Sequence, residues 1–189
     1  MFLCKETIYG LITYLIKNNK EVLRSMYQST PADNFLYLLN QAQPDAIAWI
    51  QGNTSQPQVA GSVKFYETPY SGILIEAEIF GLPNINVQGS SDFYGFHIHE
   101  SGNCQRPFDQ TGDHYNPTSM PHPQHAGDLP PLMGNQGYAY QVFYDKRFRL
   151  DEIIGRSVVI HQMADDFHTQ PSGNSGNKIG CGTIRFMIH

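Results

Sequence analysis

His97 and His99 stand two residues apart in the apolar run Gly95-Phe96-His97-Ile98-His99-Glu100. A strand places alternate side chains on one face, so both imidazoles point the same way. Two convergent imidazoles begin a metal site, and nitrogen donors suit copper and zinc. Alone, the pair fits an ordinary strand with two hydrogen-bonded histidines better than a metal site. The other histidines reverse that. His114, His122 and His125 lie in the Gly/Pro/Asp/His-rich region 101–128, and His161 ends a later apolar run. Asp128 follows His125 by three residues, and Asp165 follows His161 by four. Together they offer more nitrogen ligands than one four-coordinate ion needs, plus a carboxylate. Two metals, or one metal with spare histidines, fit that supply.

Strands and turns must position these groups. From about residue 44 the texture is β, with strand candidates at 46–50, 59–66, 72–80, 93–100, 129–134, 137–145, 156–162 and 182–188. Eight short strands separated by turn signals predict a sandwich or barrel. Polar loops at 101–128 and 163–178 carry most of the remaining chemistry. Residues 1–44 read differently. Ile8, Leu11, Ile12, Leu15, Ile16, Val22, Leu23 and Met26 recur at helical spacing. Thr30-Pro31-Ala32-Asp33 then predicts a capped second helix through Leu36, Leu38 and Leu39. The expected organisation is a helical N-terminal extension, 1–44, before a β domain, 45–189.

Composition narrows the partners. The formal net charge is -5, with no basic patch, which argues against nucleic acid. The apolar patch at 8–16 is too short to cross a bilayer, so no integral membrane span is expected. Glu6 beside Lys5, and no small-x-small cleavage site, make a poor export signal. A cytoplasmic chain is the expectation, with export or the cell surface the alternative. A homodimer is compatible with the sequence. The three cysteines, Cys4, Cys104 and Cys181, form no Cys-x-x-Cys pair, which argues against a thiolate zinc ribbon or a redox dithiol. Asn53-Thr54-Ser55 matches a glycosylation sequon, a tripeptide that also arises by chance.

Residues 45–189 resemble the copper/zinc superoxide dismutase family. The resemblance rests on Gly-Phe-His-Ile-His-Glu (95–100), Asp-His-Tyr-Asn-Pro (113–117), His-Ala-Gly-Asp-Leu (125–129), Ile-Gly-Arg-Ser-Val-Val-Ile-His (154–161), Ala-Asp-Asp (164–166) and Gly-Cys-Gly (180–182), in that order. The stretch 170–182 resembles the bacterial branch. The resemblance implies an all-β, eight-stranded antiparallel Greek-key sandwich or flattened barrel with two long loops. It implies copper on His97, His99, His114 and His161, and zinc on His114, His122, His125 and Asp128, with His114 bridging. Asp165 would accept hydrogen bonds from ligands on both metals, and Cys104 and Cys181 would form a disulfide.

The activity this implies is an antioxidant oxidoreductase reaction, the conversion of superoxide anion to oxygen and hydrogen peroxide. Copper would alternate between two oxidation states, and zinc, which has no redox role, would order the loop. His114 would serve as the proton source and Lys178 would attract the anion. Many family members have arginine where this chain has Lys178; lysine keeps the charge but loses the planar fork. The segment between His114 and Asp128 is also compressed, with His122 and His125 three apart and Pro121 and Pro123 flanking His122. Relatives that lack copper ligands make a non-enzymatic copper-binding or copper-handling protein the alternative. Here every copper position is filled. Arg106, Lys146 and Arg147 read as surface charges, and His168 and His189 as solvated.

Overall fold

The computed structural model describes residues 30–83 and 92–187. The chain forms two compact units, residues 1–42 and 43–189. In the first, helix α1 (Pro31–Gln41) begins at the expected capping box. The Asp33 carboxylate accepts the Thr30 N–H at 2.8 Å and the Thr30 hydroxyl at 3.1 Å. The helix read over residues 8–28 lies outside the described residues. No helix among the described residues is long and apolar enough to cross a membrane.

The second unit is an antiparallel β fold. Its strands are β1 (Ala46–Gly52), β2 (Ala60–Glu67), β3 (Ile73–Phe80), β4 (Phe93–Tyr94), β5 (Phe96–His99), β6 (Leu132–Met133), β7 (Ala139–Asp145), β8 (Ser157–His161) and β9 (Lys178–Phe186). A single-turn helix, α2 (Leu150–Ile153), precedes β8. Seven strands form one sheet in the order β5-β8-β9-β1-β2-β3-β7, and β4 pairs with β6. Only Gly95 separates β4 from β5, and β6 leads into β7. The small β4–β6 ladder therefore joins the two edges of the large sheet, which curls around one core. The crossovers from β3 to β7 and from β1 to β9 give the expected Greek-key antiparallel fold.

Three strand boundaries differ from the sequence reading. The run at 93–100 is two strands, because the Gly95 N–H donates to Met163 O and Gly95 O accepts the His161 N–H, outside the β5 ladder. A Cβ on Gly95 would lie 2.7 Å from Ser175 Cβ, so only glycine fits this crossing. The run at 129–134 shrinks to Leu132–Met133, since Pro130 and Pro131 have no N–H to give a ladder. The last strand starts at Lys178 rather than 182, so Lys178 is a strand residue opposite His161, beside a ladder irregularity.

Alternation explains how one sheet carries both a core and a polar cluster. Phe96 and Ile98 on β5, and Val158 and Ile160 on β8, enter the core with Val63, Phe65 and Ile75. The other face of β5 and β8 carries His97, His99, Val159 and His161. Val159 packs there with Phe108 and the Cys104–Cys181 disulfide, whose S–S distance is 2.00 Å. The free edge of β5 is covered by the 101–128 loop. Ile98 N–H donates to Gly127 O at 2.9 Å, and Ile98 O accepts from Tyr115 N–H at 2.8 Å. Glu100 N–H donates to Asp113 O, and Leu129 N–H to Phe96 O. This pairing sets His114 opposite His99 and Asp128 opposite His97.

Ile98 is fully buried, whereas Trp49 on β1 is 69% exposed. Ile98→Ala should destabilise the chain by about 2–5 kcal/mol through the cavity it leaves. Trp49→Ser should stay within about 0.5 kcal/mol, as an exposed substitution does. Urea unfolding of both variants measures the contrast. Equal losses would contradict this inside–outside assignment.

Candidate metal centre

Two groups of potential ligands meet on the outer face of β5 and β8. His97, His99, His114 and His161 form one, and His114, His122, His125 and Asp128 the other, with the ligand atoms of each within 4.8 Å of one another. His114 belongs to both. None of the seven residues is more than 7% exposed. The β5–β8 ladder supplies His97, His99 and His161. The 101–128 loop supplies the rest through its pairing with the edge of β5.

Hydrogen bonds assign a direction to each ring. His99 Nδ1 lies 2.9 Å from Gly112 O, and His161 Nδ1 lies 3.1 Å from Gly176 O. Each Nδ1 must donate to its carbonyl, so each neutral ring presents a lone pair at Nε2. Those two Nε2 atoms are 3.2 Å apart. Two lone pairs facing at that distance repel, and a shared cation would resolve the conflict. His97 Nε2 donates to Asp165 Oδ2 at 2.8 Å, and His122 Nε2 to Asp165 Oδ1 at 2.8 Å. The remaining nitrogens, His97 Nδ1 and His122 Nδ1, are buried without a hydrogen-bond partner, as is His114 Nε2. Such orphaned nitrogen atoms, aimed into a cluster of imidazoles, are the donor set of a nitrogen-rich metal site.

The second cluster adds a carboxylate. Asp128 Oδ1 lies 2.7 Å from His114 Nδ1, and Asp128 Oδ2 lies 3.1 Å from His122 Nδ1 and 3.2 Å from His125 Nδ1. Three imidazoles and one carboxylate fit a tetrahedral zinc site. His122 reaches the cluster despite the shortened loop. His168 stays exposed on its own loop, and His189 lies outside the described residues.

Burial dominates the electrostatics. Desolvation pushes the imidazolium forms of His99 and His161 well below the ordinary value. It lowers His97 to about 4 even though the Asp165 carboxylate opposes it. Burial works to raise Asp165 and Asp128, yet hydrogen bonds from the histidines and from Phe167 N–H hold Asp165 well below the carboxylate range. The His114 hydrogen bond and the neighbouring imidazoles lower Asp128 likewise.

A cleft of about 360 Å³ opens onto this centre, lined by His99, His114, His161, Glu100, Asp113 and Lys178 among others. His97 is sealed behind it. Lys178 Nζ donates to Thr111 Oγ1 at 2.7 Å and to Gly112 O at 3.2 Å, which tethers the ammonium beside the cleft. The Asn53 amide donates to Lys178 O at 2.7 Å. Asn53 is buried, and its amide nitrogen is committed to that bond, so the sequon asparagine is a structural clamp.

Three supporting residues escaped the sequence reading. Arg147 is no free surface charge. It pairs with Asp145 and donates to His125 O at 3.2 Å and Asp128 O at 2.6 Å, gripping one end of the ligand loop. Gln170 bonds the backbone of His122. Thr111 orients Lys178. Arg106, also read as a surface charge, donates to Gly52 O at 2.8 Å.

An antiparallel Greek-key fold with a histidine shared between two buried ligand clusters defines a class of dinuclear metalloprotein. Comparison with known proteins makes this specific. The profile described as copper/zinc superoxide dismutase matches residues 59–184, and the chain belongs to that family. Superoxide dismutase [Cu-Zn] 3 of Arabidopsis thaliana is 32% identical over 155 residues, covering 74% of this chain and 88% of that protein. Among solved structures, the clock protein EA4 matches with a TM-score of 0.65 and 28% identity, covering 76% of this chain and 96% of the other. A double mutant of a superoxide-dismutase-like protein from Bacillus subtilis matches with a TM-score of 0.62 and 33% identity, covering 72% and 95%. The family's metals are copper and zinc, and the two clusters could hold them.

The depressed value of His97 sets a pH dependence for the metal-free chain. An imidazole titrates at 6.5 when unperturbed and at about 4 here, so between those values the folded form binds fewer protons than the unfolded one. Stability is then complete above about pH 6.5 and falls as the pH drops toward 4. Asp165, also depressed, adds its loss only below about pH 4. The urea midpoint of the metal-free protein should be flat from pH 7 upward and decline between 6.5 and 4. A flat midpoint through that window would refute the assignment.

Proposed function

We propose that this chain is a superoxide dismutase, with copper on His97 Nδ1, His99 Nε2, His114 Nε2 and His161 Nε2, and zinc on His114 Nδ1, His122, His125 and Asp128. The observation that carries the reading is the facing pair of Nε2 atoms beside the orphaned His97 Nδ1 and His114 Nε2, at the base of an open cleft. Copper would supply one-electron exchange, with one superoxide ion oxidised to oxygen and a second reduced, with two protons, to hydrogen peroxide. The donor set has no thiolate and no thioether, which suits a site open to a small ligand better than a blue-copper centre.

The chain's own groups divide the remaining work. His114 Nε2 is the atom able to hold and release a proton, because its Nδ1 is committed on the Asp128 side. Asp165 orients His97 and His122 through their Nε2 atoms, so one carboxylate holds a ligand of each cluster. Lys178, fixed by Thr111 and Gly112, provides a positive charge at the cleft and draws in the anion against a net negative chain.

A second reading, a copper-binding protein without turnover, is favoured by one observation. Solved structures similar to this chain include a clock protein and a superoxide-dismutase-like protein. Metal content per chain and superoxide consumption, measured on one sample, separate the readings. Dismutation lost in His97→Ala and in His161→Ala supports the enzyme; tight copper without turnover in the parent supports the second reading.

Lys178→Glu should slow turnover at low ionic strength by about tenfold or more while leaving copper and zinc content unchanged. The deficit should shrink as salt screens the charge. Stopped-flow superoxide decay across a salt series measures it, and equal rates in parent and variant would remove Lys178 from the mechanism.

A further inference from the structure

His122 sits at the tightest point of the ligand loop, between Pro121 and Pro123. Neither proline has an N–H, so His122 carries the only backbone donor of residues 121–123. That donor is taken from outside the loop. The His122 N–H donates to Gln170 Oε1 at 3.0 Å, and Gln170 Nε2 donates back to His122 O at 2.7 Å. One side-chain amide thus mimics a strand partner, accepting and donating to the same residue. The His122 ring is held from the same loop, with Nε2 on Asp165. Three of the four polar groups of His122 are therefore satisfied by residues 165–170, and the fourth, Nδ1, is the orphan beside Asp128.

The 163–178 loop is built to present Gln170. The Asp166 carboxylate accepts the Thr169 N–H at 2.8 Å, the Thr169 hydroxyl at 2.6 Å and the His168 N–H at 3.0 Å. Gly173 N–H donates to Thr169 O at 2.7 Å, and Asp166 N–H to Gly173 O at 2.9 Å. Gly173 has φ +66, and a Cβ there would lie 2.0 Å from Asp165 Oδ1, so glycine keeps the turn against the carboxylate. The turn is closed by its own bonds, yet Gln170 itself is exposed. An exposed amide that makes two bonds to one backbone residue has a purpose other than core packing.

We propose that Gln170 is a positioning residue for His122, and that it substitutes for the loop length this chain lacks by fixing the backbone from which the His122 ring reaches the metal. This rests on the reading of His114, His122, His125 and Asp128 as a zinc site. It makes zinc affinity depend on a residue of the second loop that touches no ligand atom. Partners that orient a ligand typically change metal affinity by about 10–100-fold when removed.

The test titrates the metal-free full chain with zinc against a chromophoric chelator, in the parent, Gln170→Met and His122→Ala. Methionine keeps the length and removes both polar atoms. Gln170→Met should weaken zinc by about tenfold or more. Cobalt(II) added in place of zinc should give a weaker or shifted visible spectrum, because the tetrahedral geometry relaxes. The copper(II) affinity of the variant should fall by less than its zinc affinity, since His122 lies outside the copper set and reaches it only through Asp165 and His114. The urea midpoint of the metal-free variant should fall only by what two side-chain–backbone hydrogen bonds contribute. A zinc affinity and cobalt spectrum equal to the parent's overturn the inference and leave the zinc reading standing. Zinc held equally by the parent and His122→Ala removes the zinc reading, and the inference with it.

Discussion

Three imidazole nitrogens, His97 Nδ1, His114 Nε2 and His122 Nδ1, are buried with no hydrogen-bond partner. Each such atom costs about 1–3 kcal/mol when left unmet. A fold of marginal stability holds three of them together at a cost, and a pair of cations bound between the clusters would remove it. Much of the architecture around the site follows from the need to keep these atoms convergent, dry and unable to turn toward another partner. Each ring's second nitrogen is accordingly tied down, to Asp165, Gly112 O, Gly176 O or Asp128.

The sheet and the loops meet this need differently. β5 and β8 place histidines by register, and the core beneath them, through Phe96, Ile98, Val158 and Ile160, makes that register costly to slip. The loops enter the core at only a few residues, Phe108, Tyr115 and Ala126 among them. They are ordered by side chains bonded to backbone: Arg147 on His125 and Asp128, Gln170 on His122, Asn53 on Lys178. The Cys104–Cys181 disulfide ties the ligand loop to β9, the strand that carries Lys178. Rigidity in the loops is thus imported from neighbouring segments, which lets irregular backbone hold ligands with strand-like definition.

This division explains what was legible beforehand. His97 and His99 could be read as a pair because strand alternation is visible in sequence. A β sandwich or barrel could be read because turn residues and β-branched runs mark it, while its antiparallel Greek-key order came from the family resemblance. The loop ligands stood out by type and number, but their division between two metals came from family resemblance, since no periodicity links His114 to Asp128. Gln170 and Thr111 were given no role, and Arg147 was read only as a surface charge. Their partners are mostly carbonyls and amides that every residue possesses, so residue type gives no signal for the contact. Arg147 looks like a surface charge by type, and only the fold brings His125 O and Asp128 O within its reach. The split at Gly95 and the early start of β9 were missed because both depend on what crosses the strand, not on the strand's own residues.

The two clusters are coupled by more than His114. Asp165 holds His97 with one oxygen and His122 with the other, both at 2.8 Å, and Phe167 N–H fixes the oxygen shared with His122. A tilt of the His122 ring must therefore move or strain the carboxylate that sets His97. The shared imidazole joins the clusters on the cleft side, and the shared carboxylate joins them on the buried side. Between the two links, neither cluster can change geometry alone. Such a frame favours a centre whose ligands hold still while electrons and protons pass, with access from the cleft that His114 and Lys178 line.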